Sequence, residues 1–556
     1  MRRAARDPRP LLPPSPLPFA FGLLFVVVLF VALAWAFAPH TVDDAWITFR
    51  YSRQWALGHG PYFNPGEHVE GYSNFLLMLL LAPVVAWGGA DAALPAAKVI
   101  GLASGALAVL GAGLLARRAA APARWAGAAG IAAALLAASF PGFAYHSMSG
   151  LETSLYACLL VWGVRGLTAA SSRATVLGGV ALAAAAITRP EGPLLFALAW
   201  GVAAVTRLRR AGHRDPERLS AADAGTWRPL LVVALIGGVV IVCQVAFRHA
   251  FYDGEWLPNT YYAKSGGSGD RVAYVRDALR GACFGDVGSF LALAGWIVGG
   301  GSGPVAWAAA LLGLVGALLP LATGGDWMPG ARLVVPYLPL TAVAVVHGWG
   351  RFAARLLGDR LRLSSAVLLI AAAANFGVQW QTRESLQASA SVEAAGATTG
   401  HGALAVWLSR HARPGEAIVL MDIGEVGYRC IDQHIVDVTG LTDRHIAKSP
   451  GTFMAKSFDL GYVFERRPEF IVLTFFGRGE ALAPLDATAP LYPFSEMEHR
   501  LAAHPAFGRD YYRVPEPGDA PAEGIGRLRR SLGAEAVFPY ATPGRRYVLA
   551  VYARHH

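Results

Sequence analysis

Two adjacent carboxylates, Asp43 and Asp44, are the sharpest chemical feature of the chain, opening the segment Asp43-Asp44-Ala45-Trp46-Ile47-Thr48-Phe49-Arg50-Tyr51. They follow directly on a long apolar stretch and so sit near a low-dielectric boundary. A carboxylate placed there can have a raised pKa, and can act as a base or bind a cation. Capping is the competing explanation: Asp44 at the start of a helix from Ala45 to Leu57 would accept its first free N–H groups. A cap asks for one Asp, so it explains the pair only in part. The chain continues through Gly58-His59-Gly60-Pro61 and Asn64-Pro65-Gly66-Glu67 to Glu70-Gly71-Tyr72-Ser73-Asn74. Glu70, Tyr72 and Asn74 offer donors and acceptors suited to a hydroxyl-rich ligand, with a polar loop and helix cap as the plain alternative. His59 and His68 have no regular ligand spacing and read as surface histidines before they read as metal ligands.

Four later segments carry similar residue types. In Thr188-Arg189-Pro190-Glu191-Gly192, Arg189 can hold a phosphate through two donors or pair with Glu191. Leu257-Pro258-Asn259-Thr260-Tyr261-Tyr262-Ala263-Lys264 supplies Asn259, Tyr262 and Lys264, the last either a phosphate-attracting charge or a solvated loop lysine. Gly324-Gly325-Asp326-Trp327-Met328-Pro329-Gly330-Ala331-Arg332 begins at the end of an apolar stretch, where Asp326 and Arg332 are costly unless partnered or functional. Glu152, after His146-Ser147-Met148-Ser149-Gly150, is either a cap or a site acid.

Several chemistries lack their signatures. There is no GxxxxGK[ST] phosphate loop, no GxSxG, no HExxH and no DxD. The four cysteines, Cys158, Cys243, Cys283 and Cys430, form neither a CxxC nor a Cys/His cluster, which argues against zinc, redox and disulfide frameworks.

The elements that must position these residues are mostly apolar helices. Of 556 residues, 54% are hydrophobic and 15% charged, against about 25% charged in soluble proteins. This composition excludes a disordered chain and favours many membrane spans. Apolar stretches near 17–38, 94–116, 122–140, 152–169, 174–188, 192–206, 229–248, 287–301, 304–322, 333–350 and 364–379 predict about eleven spans. The first follows a basic segment and reads as a retained anchor, although Ala36-Phe37-Ala38 fits a cleavage pattern. The run 75–87 is too short to span and reads as a helix lying in the outer interface.

The net charge of +10 is topogenic rather than a nucleic-acid footprint. With the N-terminus inside, the inner loops collect Arg117, Arg118, Arg124, Arg165, Arg173, Arg207, Arg209, Arg210, Arg214, Arg218, Arg228, Arg351, Arg355, Arg360 and Arg362. An odd number of spans then leaves residues 381–556 outside. Apolar runs at 417–421, 470–476 and 547–552, with helix-like stretches between them, predict a small α/β domain there. The expected organisation is a membrane module over 1–380 and an extracytoplasmic α/β domain over 381–556. Every polar segment singled out above faces the same outer compartment, so a site assembled from several outer loops is the economical reading. An enzyme working on that side has no ready nucleotide supply, whereas a lipid-linked donor in the bilayer solves the problem.

These segments resemble the integral-membrane glycosyltransferases of the GT-C fold, which use polyprenyl-phosphate-linked sugars. More closely, the chain is similar to the family of the terminal arabinofuranosyltransferase of cell-wall arabinan synthesis and its bacterial relatives. The resemblance rests on DDAWITFRYSRQWALGHGPYFNPGEHVEGYSNFL at 43–76, TRPEG at 188–192, LPNTYYAK at 257–264, GGDWMPGAR at 324–332 and DVTGLTDRHIA at 437–447. It implies a polytopic α-helical membrane protein with a large first outer loop, a juxtamembrane helix and an outer soluble domain. It also implies an essential acid in the first loop, here Asp44 or Asp43, with Asp44 preferred. Arg50 in the first segment and Asp443 in the last join the substrate-binding candidates, the latter on an acceptor side built by the soluble domain. Arabinofuranose as the sugar is implied only by the nearest named family.

The expected function is transfer of a sugar from a polyprenyl-phosphate donor to a cell-envelope glycan or glycolipid at the outer face of a bacterial inner membrane. In an inverting scheme, Asp44, helped by Asp43, deprotonates the acceptor hydroxyl while Arg189, Arg332 or Lys264 meets the donor phosphate; a retaining enzyme would use the carboxylate differently. No cofactor is required and no metal is demanded, although the Asp pair could bind a divalent cation. The expected partners are the lipid donor, the acceptor and the bilayer, with no nucleic acid. The alternatives are a transporter or flippase of lipid-linked sugars, disfavoured by the lack of an inverted repeat, and an envelope scaffold.

Overall fold

The computed structural model describes residues 17–212, 221–264, 270–282, 285–298, 302–326, 328–358, 361–478, 492–513, 529, 532–540 and 545–555. The basic segment 1–9, Cys283, Arg214, Arg218, Arg360 and the end of the 287–301 stretch lie outside the described residues.

Five described helices are long and apolar enough to cross a membrane: Leu17–Trp35, Ala90–Ala120, Trp227–Phe251, Pro304–Thr323 and Arg362–Gln381. Two bent pairs, Ala126–Ser139 with Pro141–Met148 and Arg271–Arg280 with Gly285–Val298, raise the number to seven if each pair is one span. The first pair bends by 65° at Pro141. Proline has no N–H for the helix ladder and pushes the preceding residue out of the α region; Phe140 is extended, with φ −80 and ψ 111. The stretches expected to span at 152–169 and 174–188 form helices of only 15 residues, Thr153–Leu167 and Ser172–Ala186. At 1.5 Å per residue these fall short of the hydrocarbon core. The run 75–87 forms the helix Phe75–Gly88.

The helical core is built from small residues that let backbones approach closely. Gly101 of helix Ala93–Ala120 shows why: a Cβ there would collide with the carbonyl oxygen of Ser147 on the broken segment Pro141–Met148. Large apolar side chains instead point outward from the long helices, as Phe21, Leu24 and Phe25 do on the first and Leu235 and Val242 on Trp227–Phe251. That inversion of the soluble pattern suits helices bathed in lipid.

The chain beyond 381 carries all eight described strands: β1 (Ala417–Leu420), β2 (His434–Asp437), β3 (Gly451–Thr452), β4 (Ala455–Lys456), β5 (Phe470–Arg478), β6 (Tyr492–Pro493), β7 (Ala536–Pro539) and β8 (Arg545–Ala553). Six form one sheet in the order β2-β1-β5-β8-β7, with β6 on β5, while β3 and β4 pair alone. β2, β1 and β5 run parallel, whereas β8 lies antiparallel between β5 and β7. The three apolar runs read from the sequence are β1, β5 and β8, at the centre of this sheet.

Side chains alternate across the sheet with period two. Ile418, Leu420, Val472, Leu549 and Val551 face a core shared with helix His401–His411 and with Tyr51, Phe63 and Tyr72 of the segment that follows the first long helix. Val419, Val436, Ile471, Leu473 and Ala550 face a second core with Val463, Met497, Leu501 and Phe507. The first core fastens the sheet to the loop that carries the Asp pair.

Candidate active site

Asp43 and Asp44 are the first two residues of helix Asp43–Ala56. The N-cap position is Val42, whose side chain caps nothing, so neither Asp is the cap of its own helix. Both sit in the first turn, where negative charge complements the helix dipole.

Asp43 caps a different helix. Its Oδ2 accepts the Gly424 N–H at 2.8 Å and its Oδ1 the Glu425 N–H at 2.9 Å, at the start of helix Gly424–Arg429. Only glycine fits at 424, because a Cβ would run into the Asp43 carbonyl oxygen. Burial pushes the Asp43 carboxyl up to about 6; His401 opposes the rise and Asp422 adds to it.

Asp44 has no such commitment. Its Oδ2 lies 3.6 Å from an Arg332 guanidinium nitrogen and 3.9 Å from Lys264 Nζ. It lines a cavity of about 650 Å³ whose wall also includes Tyr72, Asn74, Glu152, Arg189, Glu191, Lys264, Asp326 and Arg332. These residues come from five separate stretches of the chain.

A buried network fixes one wall. Thr48 Oγ1 donates to Asn74 Oδ1 at 2.9 Å, and Asn74 Nδ2 donates to Glu152 Oε2 at 3.0 Å. Arg189 bridges Glu152 Oε1 at 2.8 Å and Glu191 Oε1 at 2.6 Å, and Tyr337 Oη donates to the same Glu191 oxygen at 2.9 Å. Burial opposes ionisation of Glu191, yet the Arg189 charge holds its carboxyl below the usual range. On the facing wall Arg332 Nε donates to the buried Asp326 at 2.7 Å. Burial likewise opposes ionisation of Asp326, and Arg332 holds it low.

The structure does not bring every candidate to this cavity. Arg50 is fully buried, and its guanidinium donates to main-chain carbonyls of Phe63, Gly427, Cys430 and Gln433. It has been spent on tying the first loop to the sheet domain. Glu70 is buried against Arg248. Asn259 Nδ2 donates to the carbonyls of Gly440, Leu441 and Asp443, pinning the loop whose Leu441 forms part of the cavity wall. Tyr262 lies outside the wall, its carbonyl accepting from Lys456 Nζ at 3.0 Å. Asp443 caps helix Arg444–Lys448 and accepts from Tyr462 Oη at 2.9 Å, on a separate surface cleft of about 750 Å³. His59 and His68 are spent on Gln54 Oε1 at 2.7 Å and the Phe251 carbonyl at 2.6 Å. Among the described residues, no group of three or more His, Cys, Asp or Glu is arranged to hold a metal ion.

Other residues at the site carried no signal in the sequence. Arg271 lines the cavity, and among the described residues it pairs with no carboxylate. Tyr337 enters from the start of a buried helix. Glu393 accepts from Tyr145 Oη at 2.9 Å, and burial pushes its carboxyl up to about 7, with Asp43 and Asp44 adding to the rise. The arrangement can place an anion against Lys264, Arg271 and Arg332, with the uncommitted Asp44 carboxylate beside it.

A model described as a domain of unknown function (DUF8728) matches residues 385–522. The chain is 32% identical over 245 residues to the terminal beta-(1->2)-arabinofuranosyltransferase of Mycobacterium tuberculosis, a match covering 41% of this chain and 35% of the relative. The chain thus spans about a third of the length of that curated relative. The crystal structure of ArnT from Cupriavidus metallidurans bound to undecaprenyl phosphate superposes with a TM-score of 0.51 at 14% identity, covering 82% of this chain and 93% of ArnT. The cryo-EM structure of the arabinosyltransferase EmbB from Mycobacterium smegmatis gives a TM-score of 0.35 at 15% identity, over 74% of this chain and 43% of EmbB. The resemblance read from the sequence motifs therefore holds: the chain is similar in sequence to an arabinofuranosyltransferase and has the GT-C fold of ArnT.

Proposed function

We propose that this protein is a membrane glycosyltransferase that moves a sugar from a polyprenyl-phosphate donor to a hydroxyl of a cell-envelope glycan or glycolipid. The observation that carries the reading is the placement of Asp44. A carboxylate free of hydrogen bonds among the described residues stands beside Arg332 and Lys264 in a cavity large enough for a sugar phosphate.

Asp44 takes the proton of the acceptor hydroxyl. The acceptor oxygen bonds to the anomeric carbon as the bond from that carbon to the phosphate oxygen breaks. The lipid phosphate leaves with the electron pair, its growing charge met by Lys264, Arg271 and Arg332. Arg189 is held between two glutamates and serves the wall rather than the phosphate. The undecaprenyl phosphate bound by ArnT supports a polyprenyl-phosphate donor, and the mycobacterial relative supports arabinofuranose as the sugar.

The span count and sidedness belong to the same proposal. An odd number of spans, a cytoplasmic N-terminus and an outer sheet domain in a bacterial inner membrane would put the cavity where lipid-linked donors are consumed. Purified protein in detergent, given a panel of polyprenyl-phosphate sugars and a mixture of oligosaccharide acceptors, should cleave one donor class and extend an acceptor. Failure to cleave any donor, with lipid-linked sugar still bound, would favour transport instead.

A further inference from the structure

We infer that the reacting edge of the acceptor sugar sits on the sheet-domain side of Asp44, in a small pocket where Asp422 accepts a hydrogen bond from a hydroxyl neighbouring the one that reacts. This rests on the proposed transfer reaction and adds where the acceptor lies and which group recognises it.

A pocket of about 40 Å³ lies between the start of helix Asp43–Ala56 and the ends of β1 and β2, with Asp43, Asp422, Thr439 and Met454 in its wall. It shares Asp44, Ile47, Lys264, Leu441 and Phe453 with the large cavity. The two are compartments of one space, with Asp44 at their junction. A volume this small holds a hydroxyl-sized group rather than a sugar phosphate.

The compartments differ in charge. In the large one, Arg189, Lys264, Arg271 and Arg332 balance Asp44, Glu152, Glu191 and Asp326; in the small one Asp43, Asp44 and Asp422 face Lys264 alone, leaving an excess of negative charge. A phosphate is repelled from the second, while a neutral diol is not. Each Asp43 oxygen already accepts a main-chain N–H, which ties that carboxylate to helix Gly424–Arg429 and leaves one acceptor site on each oxygen. Asp422 keeps a whole oxygen open. Its Oδ2 takes both His401 Nε2, at 3.0 Å, and the Tyr547 hydroxyl, while among the described residues nothing donates to Oδ1. The two partners fix the plane of the carboxylate and leave one oxygen for a ligand. Thr439 stands beside it with its hydroxyl hydrogen committed to Asp437 at 2.6 Å, so its oxygen can only accept.

The test is steady-state transfer by the full chain, with the polyprenyl-phosphate sugar that it cleaves in the panel above and acceptor sugars that differ by single deoxy positions. Asp422→Asn should raise the acceptor KM about ten- to a hundredfold while the donor KM and the rate of donor hydrolysis by water hold. An acceptor lacking the neighbouring hydroxyl should lose the same factor with the wild type and nothing further with the variant. Met454→Phe, which fills the pocket without touching its hydrogen bonds, should also raise the acceptor KM, and decides the matter if Asp422→Asn fails to fold. An unchanged acceptor KM, or an equal rise in donor KM, would overturn the acceptor pocket. Absence of donor cleavage by the wild type, with or without acceptor, would overturn the transfer reading beneath it.

Discussion

Replacing Asp44 by Asn removes a charge and a proton acceptor while keeping the side chain's size, and the structure separates the consequences. The carboxylate makes no hydrogen bond among the described residues, only ion pairs at 3.6 and 3.9 Å with Arg332 and Lys264. Partly exposed pairs of this kind are worth at most about 1 kcal/mol, so the fold should barely respond. Loss of a general base costs a factor of about 10²–10⁴, or roughly 3–5 kcal/mol in the barrier. The donor term has the opposite sign. Two unit charges about 4 Å apart interact by about 4 kcal/mol at an effective dielectric of about 20, so deleting the carboxylate leaves Arg332 and Lys264 more attractive to a phosphate. We therefore expect kcat to fall steeply while the donor KM stays level or falls, at an unchanged thermal midpoint. Labelled-sugar transfer in detergent gives kcat and KM, and intrinsic tryptophan fluorescence gives the midpoint. A kcat within about tenfold of wild type, or a loss of turnover that tracks a lowered midpoint, would refute the assignment.

Arg189→Met strands Glu152 and Glu191 in a largely buried wall and should cost about 3–5 kcal/mol of stability, read as a collapse of the thermal midpoint; an unchanged midpoint would show that the pair is not coupled as drawn. For His401, burial pulls its pKa down, but the hydrogen bond and charge of Asp422 hold it up, to about 9 against 6.5. Its contribution, at most about 3 kcal/mol, is complete below about pH 6.5 and lost as pH rises through about 9. Stability should decline over that window in the wild type and not in His401→Gln, as urea unfolding at several pH values would show. Arg50→Lys keeps the charge but loses the planar fork, so hydrogen exchange should accelerate at residues 427–433; unchanged exchange there would deny Arg50 its tethering role.

Much of this architecture is legible in the amino-acid sequence, and the exceptions share a cause. The central strands β1, β5 and β8 announce themselves because they are buried on both faces and read as continuous apolar runs. The four-residue strands β2 and β7 do not, because each lies at an edge of the sheet and is too short to show a pattern of its own. At the site, Asn74, Glu152, Arg189, Lys264, Asp326 and Arg332 group together by sequence alone, since all fall in segments assigned to one side of the membrane. Arg50 and Asn259 belong to the same segments but hold main-chain carbonyls instead, and Glu70 is spent on Arg248. Residue type cannot separate the two roles, because a buried arginine that satisfies carbonyls needs the same donors as one that grips phosphate. Asp422, Arg271 and Glu393 stand in no local pattern, and only the folded chain brings them to Asp44.

The paired aspartates show how one sequence feature divides into two functions. Neighbours on a helix diverge by about 100°, so the two carboxylates point in different directions although both border the small pocket. Asp43 turns to the sheet domain and caps helix Gly424–Arg429, while Asp44 turns into the cavity. The pair therefore couples two events: docking of the sheet domain, which closes the small pocket, and presentation of a base at its mouth. Asp43→Ala removes two charge-assisted hydrogen bonds worth together about 2–4 kcal/mol. It should lower stability and raise the acceptor KM together, because the pocket wall at 422–425 loses its anchor. Asp44→Asn should do neither. If the two substitutions produced the same kinetic and stability profile, the division of labour would be wrong, and the pair would have to act as one unit.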